Sequence, residues 1–233
     1  MIDELVTRAY RRWKENAGLL IAIGALSCGI PFVVIAVLSI FAVSLGITDP
    51  EAIPELAIIF ASILAVTLMN AFVINGNYAI RKKIAPLSKS ITYSASRILE
   101  TGTAILFSTF PAIIGMVCAL LVFTTLGESW SWLAVVLIIA GICGSVSLAL
   151  SPYYAPDRGW WGAVTHAYAV GRKIYITLFL TYIFFVLIYI TAHLLLANPS
   201  IRIMVFVLTD MVFLTHIKHQ TFFEIIDSVE ARE

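Results

Sequence analysis

The chain has 233 residues, of which 61% are hydrophobic and only 12% are charged, and its mean hydropathy is +0.97. A soluble domain carries about 25% charged residues, so the composition excludes a water-soluble fold and indicates that lipid surrounds most of the chain. The 15 basic and 14 acidic residues leave a formal net charge of +1, which argues against nucleic acid as a partner.

Six apolar stretches are long enough to cross a membrane as helices, since about 20 residues span the hydrocarbon and backbone groups in lipid must bond within their own segment. These predicted spans are residues 17–47, 56–80, 102–126, 131–154, 174–197 and 201–223. Pro31 is expected to bend the first span and Pro111 the third. Two prolines in residues 151–157 indicate that the fourth span ends there. The predicted fold is an all-α integral membrane protein with six transmembrane helices.

Lysine and arginine are distributed very unevenly around these spans. Fourteen of them lie before the first span, between the second and third, between the fourth and fifth, or at the end of the sixth. Only Arg202 lies on the opposite side. Because basic residues are retained on the cytoplasmic side, the pattern predicts a multi-pass protein of the cell membrane with both termini in the cytoplasm.

Three segments before predicted hairpins carry apolar residues at helical spacing with polar residues opposite. They are residues 2–14, 86–100 and 160–173. Such helices lie in the plane of the interface, so in-plane amphipathic helices are predicted on the cytoplasmic face. In the second segment the apolar stripe is Leu87, Ile91, Ala95 and Ile98. The alternative is that the segments extend the spanning helices, although Gly159 and Gly162 favour a break before the third.

The three segments also suggest an internal repeat. Aligning Ala9, Ala95 and Ala167 places each segment in register just before a pair of predicted spans. The sequence therefore predicts a threefold repeat, in which each unit is an in-plane helix followed by a helical hairpin.

Asp210 is the outstanding polar residue at membrane depth, where an ionisable group costs a few kcal/mol. Partners predicted at the same depth are Asn70, Tyr189, Ser145 and Ser147. One interpretation is a proton or ion site in a polar cavity, and the other is a carboxyl group hydrogen-bonded within the bundle. Asn75 and Asn77 follow Asn70 on the second span, where amides commonly form hydrogen bonds between helices, and a substrate-lining role is the alternative.

The cytoplasmic face is predicted to bind lipid headgroups or a partner. Basic residues near a membrane surface attract anionic headgroups, at about 1 kcal/mol per charge, and tryptophan anchors the interface. The residues predicted for this surface are Arg11, Arg12, Arg81, Lys82, Lys83, Trp160 and Trp161. The expected partners are anionic membrane lipids, with a membrane protein or a second copy of the chain as further candidates.

The chain closes on an amphipathic segment. Phe222, Ile225 and Ile226 share one face, and Glu224 and Asp227 lie on the other. These carboxylates are predicted on the same side as the fourteen basic residues, so one interpretation is that they pair with the basic helices. A solvated tail is the alternative, because an exposed ion pair contributes only about 0–1 kcal/mol.

No complete catalytic or cofactor-binding motif is present, and no cofactor is expected. His216 and His219 lie on adjacent helical turns, which makes them weak candidates for a metal site. A metal needs a third or fourth ligand, and the spacing does not demand one. Phosphate-binding loops and ion-selectivity filters are absent as well.

Residues 152–163, PYYAPDRGWWGA, precede an Ala-rich segment and another apolar span, and residues 9–16 read AYRRWKEN. This pattern resembles the membrane domain attached to some glycerophosphodiester phosphodiesterases and its stand-alone prokaryotic relatives of unassigned function. The resemblance implies a six-helix membrane module that acts as a scaffold or partner. The phosphodiesterase domain is not in these 233 residues, so its activity is not implied.

Three functional hypotheses follow. The first is a non-enzymatic membrane module that binds lipids or partners from the cytoplasmic face. The second is a small transporter or channel that uses Asp210 and Asn70. The third is a lipid-modifying enzyme, which would require a cavity that converges on His216, His219 and Glu224.

Overall fold

The computed structural model describes residues 2–44, 46, 55–84, 86–126, 128–195 and 213–232. These residues form helices joined by short turns, with no strand among them, so the all-α prediction is confirmed for this part of the chain. The helices are α1 (Ile2–Glu15), α2 (Ala17–Ser27), α3 (Gly29–Ser44), α4 (Glu55–Arg81), α5 (Leu87–Ser96), α6 (Ile98–Leu126), α7 (Ser131–Ser147), α8 (Ser151–Lys173), α9 (Tyr175–Leu195) and α10 (Thr215–Glu230).

Several of these helices are candidate membrane spans. Ala17–Ser44, Ala57–Arg81 and Ile98–Thr125 are long and apolar enough to cross a bilayer. α7 and α8 together form a fourth candidate, although they meet at an angle of 74°. The predicted fifth span corresponds to α9, and most of the predicted sixth lies outside the described residues. The described chain is therefore helical, with three to four candidate spans.

The predicted fourth span, 131–154, is not one continuous helix. The chain turns at residues 148–150 and α8 begins at Ser151, so Pro152 opens a helix instead of ending one. Proline is tolerated in a first helical turn, because the N–H it lacks would have no partner there. Gly159 divides α8 with a φ of 66°, a conformation that suits glycine, and residues 160–173 form a separate helix as predicted.

Pro31 and Pro111, the prolines predicted to bend the first and third spans, have different effects. The first span is interrupted at Cys28, one turn before Pro31. Pro31 has no N–H to bond the carbonyl of the preceding turn, which explains the interruption. α6 continues through Pro111, and the next backbone N–H, that of Ala112, bonds the Ser145 hydroxyl on α7 at 3.1 Å. This bond helps to join α6 and α7.

Each predicted in-plane segment is a helix distinct from the span that follows it. The breaks fall at Asn16, Arg97 and Ile174, which have non-helical backbone angles. In the proposed repeat, Asn16 and Ile174 occupy the same register, seven residues after Ala9 and Ala167. Arg97 lies only two residues after Ala95, so the second unit departs from the pattern.

The amphipathic segments pack in different ways. On α5 the buried residues are Ser90 and Ser94, while Leu87 and Ala95 of the predicted apolar stripe are exposed. α1 does the opposite, because its apolar face packs against α10. The apolar stripe of α5 is therefore available to lipid, whereas that of α1 forms part of the protein core.

The described core lies at one end of the molecule. Residues 71–79 of α4 are buried on every side, because α2, α5, α6, α8 and α10 surround them. We call this region the basic end, defined by α1, residues 71–84, α5, α8 and α10. Away from it apolar side chains such as Phe32 and Phe60 are exposed, which is typical of a surface that faces lipid.

The contact between α6 and α7 gives a test of the packing. A Cβ atom on Gly141 would lie 3.0 Å from the Gly115 Cα and 3.1 Å from the Ala112 Cα. Gly141→Ala should lower the free energy of unfolding by about 1–3 kcal/mol through overpacking. Unfolding in mixed detergent micelles, followed by circular dichroism, measures the change.

Gly18→Ala on α2 is the matched control, since nothing lies within 4 Å of a Cβ atom there. It should leave stability unchanged or raise it by at most about 1 kcal/mol, the helix preference of alanine over glycine. A Gly141→Ala protein as stable as the wild type would show that α6 and α7 do not approach this closely.

Candidate functional site

The basic end contains a buried carboxylate surrounded by arginines. The Glu224 side chain on α10 is only 3% exposed. Arg12 Nε lies 2.6 Å from Glu224 Oε1, Arg81 Nη1 lies 3.4 Å from the same atom, and Arg8 Nε lies 3.6 Å from Oε2. Arg81 also pairs with Asp227. These contacts confirm the pairing of the C-terminal acidic residues with the basic helices.

Helical spacing brings these groups together. Arg8 and Arg12 are four residues apart on α1, so they project from one face, and Arg81 ends α4. Between α1 and α10 the apolar contacts are made by Leu5 and Ala9, which are buried. The ion cluster therefore joins the N-terminal helix, the end of α4 and the C-terminal helix.

A chain of amide groups anchors α10 below the ion cluster. Asn77 Nδ2 donates to the Val73 carbonyl at 2.8 Å and lies 2.9 Å from His216 Nδ1. Because a carbonyl can only accept, Asn77 presents Oδ1 to Gln220, whose Nε2 donates to it at 2.9 Å. All three polar side chains are at most 2% exposed, so this network fixes α10 against α4.

A second amide fixes the helix pair α5 and α6. Asn75 Nδ2 donates to the Ser94 carbonyl at 3.2 Å, and its Oδ1 accepts from the Thr101 hydroxyl at 2.7 Å. Asn75 is fully buried. The expected use of Asn75 and Asn77 in hydrogen bonds between helices is therefore confirmed.

Aromatic hydroxyl groups hold α8 at the same end. Tyr78 on α4 donates to Asp157, and its ring stacks on Tyr93 with centroids 5.9 Å apart. Burial raises the pKa of Tyr93, which keeps that phenol neutral. The Tyr153 hydroxyl oxygen lies 2.8 Å from His219 Nδ1. One polar contact thus joins α8 to α4, and another joins α8 to α10.

A cavity of about 520 Å³ opens above the ion cluster. Its lining residues are Arg8, Arg11, Arg12, Glu15, Asn16, Ile80, Arg81, Lys83, Gln220 and Glu224. Five of them are cations and two are carboxylates. The cavity is therefore strongly electropositive, and it suits an anionic ligand.

Lys83 occupies a strained position at the edge of this cavity. Its φ is 55°, in the left-handed region, where it closes α4 with the Ile84 N–H bonded to the Ala79 carbonyl at 2.9 Å. Glycine is the usual residue at such a helix end, and another residue costs roughly 1–2 kcal/mol there. Strain of this kind clusters at functional sites.

The predicted lipid-headgroup or partner surface divides into two groups around the cavity. Arg11 and Lys83 line it with exposed side chains, and neither has an ion pair among the described residues. Arg12 and Arg81 also line it, but their guanidinium groups bind the C-terminal carboxylates. The Arg81 side chain is only 9% exposed, so it acts mainly within the protein.

The remaining members of that predicted surface lie on the outside. Lys82 is exposed, and its Nζ lies 5.3 Å from the centroid of the Tyr78 ring. Trp160 stacks on Phe107 of α6 with centroids 5.0 Å apart. Trp161 is 60% exposed. These positions suit residues that contact a membrane interface.

The predicted intramembrane polar site is not assembled by the described residues. Asp210 and the side chain of Tyr189 lie outside them. Asn70 donates to a carbonyl of its own helix at 2.9 Å. Ser145 bonds α6, and the Ser147 backbone packs against Gly171 of α8. In the part of the chain that is described, Asn70 bonds within its own helix, whereas Ser145 and Ser147 contact a neighbouring helix.

The histidines do not form a metal centre with other described residues. His216 and His219 use their Nδ1 atoms toward Asn77 and Tyr153, and no group of three or more His, Cys, Asp or Glu is found within the described ranges. Neither histidine lines the cavity beside Glu224. The convergence that a lipid-modifying enzyme would require is therefore not seen there.

The burial of Glu224 and the roles of Gln220 and Arg8 were not anticipated from the sequence. His216, Gln220 and Glu224 recur at a spacing of four, which forms a polar stripe along α10. This stripe is the sequence pattern that indicates a polar contact of α10. It crosses residue 223, where the predicted sixth span ends and the tail begins.

Comparison of the chain with protein-family models, curated proteins and solved structures finds no match.

The ion cluster predicts a large effect of neutralising its carboxylate. Glu224→Gln should lower the free energy of unfolding by about 2–4 kcal/mol, because it leaves Arg81 buried without full compensation. The loss stays below that of a fully buried pair because Arg8 and Arg12 are about half exposed. Denaturation in detergent micelles provides the measurement.

Glu230→Gln, at an exposed position on the same helix, is the matched control and should change stability by less than about 0.5 kcal/mol. Equal effects of the two substitutions would contradict a structural role for the buried carboxylate.

Proposed function

We propose that this chain is a six-span membrane protein, with both termini in the cytoplasm, that binds anionic lipid headgroups in the cavity at its basic end. It acts without catalysis, as a lipid-binding or scaffold module. That the chain is helical, with several candidate spans, rests directly on the structure.

The cationic lining of the cavity is the observation that carries the proposal. Five cations from α1 and the end of α4 face one volume of about 520 Å³. Glu224 and Asp227 neutralise Arg12 and Arg81. Arg11 and Lys83 retain charge for a ligand, and Lys83 does so in a conformation that glycine would adopt more easily.

The surroundings of the cavity support a membrane ligand. The contact of α1 with α10 places residues near both ends of the chain together, as the distribution of basic residues predicts for a common cytoplasmic side. Exposed Trp161 and the outward apolar stripe of α5 lie on elements of the same end. The resemblance to the membrane domain of glycerophosphodiester phosphodiesterases remains a proposal that agrees with such a module.

The transporter hypothesis receives no comparable support. Its two residues are Asp210, which lies outside the described chain, and Asn70, which bonds its own helix. A homo-oligomer or a membrane-protein partner likewise stays a prediction.

Lys83→Gly tests the proposal with opposite effects on binding and stability. It should weaken binding of short-chain phosphatidylglycerol roughly fivefold, the effect of removing about 1 kcal/mol of attraction. It should also raise the free energy of unfolding by about 1 kcal/mol, since glycine relieves the left-handed strain. Calorimetric titration and denaturation of the same micellar samples give both quantities.

Lys82→Gln is the control, because it removes a charge next to the cavity from a residue that does not line it. It should change the affinity less than twofold. Equal losses in the two variants would indicate a diffuse surface field, and unchanged binding by Lys83→Gly would overturn the proposed site.

A further inference from the structure

We infer that the cavity is built for a phosphomonoester, a phosphate group with three free oxygens and close to two negative charges. This inference rests on the proposed anion-binding function and specifies its ligand class. The phosphomonoester is either a lipid headgroup of the phosphatidate type or a free phosphorylated molecule.

The charge that remains in the cavity matches that of a phosphomonoester. Glu224 compensates Arg12, and Asp227 compensates Arg81. Of the other charged lining residues, Arg8, Arg11 and Lys83 are cationic and Glu15 is anionic. The net charge left for a ligand is therefore about +2. A phosphodiester carries one negative charge, whereas a phosphomonoester carries about 1.5 to 2 at neutral pH.

The number of N–H donors in the cavity also favours a phosphomonoester. Arg8 and Arg11 are three residues apart on α1 and lie on one face, and Lys83 reaches the cavity from the end of α4. Guanidinium groups bind pairs of phosphate oxygens, and the lysine ammonium binds as a point charge. Arg11 and Lys83 have no ion pair among the described residues, and Arg8, whose Nε lies 3.6 Å from Glu224 Oε2, has five N–H donors to share between that carboxylate and a ligand. Three cations with donors to spare match the three free oxygens of a phosphomonoester better than the two of a diester.

Zwitterionic headgroups suit this cavity less well than a phosphomonoester. An ethanolamine or choline headgroup carries a cation beside its phosphate. In this cavity that cation would lie among Arg8, Arg11 and Lys83, with Glu15 as the one carboxylate not used by the ion cluster, so repulsion between like charges outweighs attraction.

The charge of the ligand also predicts how binding depends on pH. The second ionisation of a phosphomonoester has a pKa of about 6, so its charge rises between pH 5.5 and 7.5. A diester gains no charge over this range. The charged groups that face the ligand are Arg8, Arg11, Arg12 and Glu15 from α1, Arg81 and Lys83 from α4, and Glu224 and Asp227 from α10. No histidine is among them, so the pH dependence should come from the ligand.

The experiment compares two short-chain lipids on the wild-type protein in neutral detergent micelles. Short-chain phosphatidate is the monoester, and phosphatidylmethanol is the diester of similar size. At pH 7.5 phosphatidate should bind at least roughly fivefold more tightly, the effect of about one additional charge. At pH 5.5 the difference in affinity between the two lipids should be smaller, because phosphatidate then carries less charge. Arg11→Gln should reduce the preference at pH 7.5, while Lys82→Gln should retain it.

Competition with glycerol phosphate distinguishes the two sources of the phosphomonoester. Displacement of phosphatidate by similar concentrations of glycerol phosphate supports a free ligand and would overturn the lipid part of the proposed function. Failure to displace it supports a lipid. Both outcomes support the phosphomonoester class.

Equal affinity for phosphatidate and phosphatidylmethanol at pH 7.5 would overturn this inference and leave the proposed anion site standing. Binding of neither lipid would overturn the proposed function together with the inference.

Discussion

The burial of one carboxylate, Glu224, determines how the described end of this protein is assembled. A charge at 3% exposure is tolerated only when opposite charges surround it, and the three that do so come from α1 and α4. The N-terminal helix, the central helix α4 and the C-terminal helix therefore have to meet at one point. The amide network through Asn77 and Gln220 then sets the position of α10 along α4.

The same arrangement accounts for the electropositive cavity. Helix α1 carries four basic residues, and the C-terminal carboxylates neutralise only those that project toward α10. Arg11 and Lys83 are left at the rim of the cavity, on the side that the sequence predicts to be cytoplasmic. The structural ion cluster and the proposed binding surface thus share one set of helices, and the charges left unpaired by the ion cluster are the ones proposed to bind a ligand.

The sequence predicts the helices and their breaks well, because hydrophobic periodicity and proline positions act locally. It leaves two interpretations of the C-terminal carboxylates, a solvated tail or pairing with the basic helices, and the structure shows the pairing. It could not predict the burial of Glu224, which depends on side chains about 140 and 210 residues away. The fourth predicted span is bent and not continuous, since the prolines of residues 151–157 suit a helix start as well as a stop. The predicted site at Asp210 lies outside the described chain and stays a prediction.

A double-mutant cycle between Arg12 and Glu224 tests whether this ion pair joins α1 to α10. The free energy of unfolding is measured for the wild type, Arg12→Gln, Glu224→Gln and the double variant in the same micelles. Atoms 2.6 Å apart in a buried cluster should give a coupling energy of at least about 1 kcal/mol. Effects that add to within about 0.3 kcal/mol would show that α1 and α10 are not joined by this ion pair, and would contradict the account.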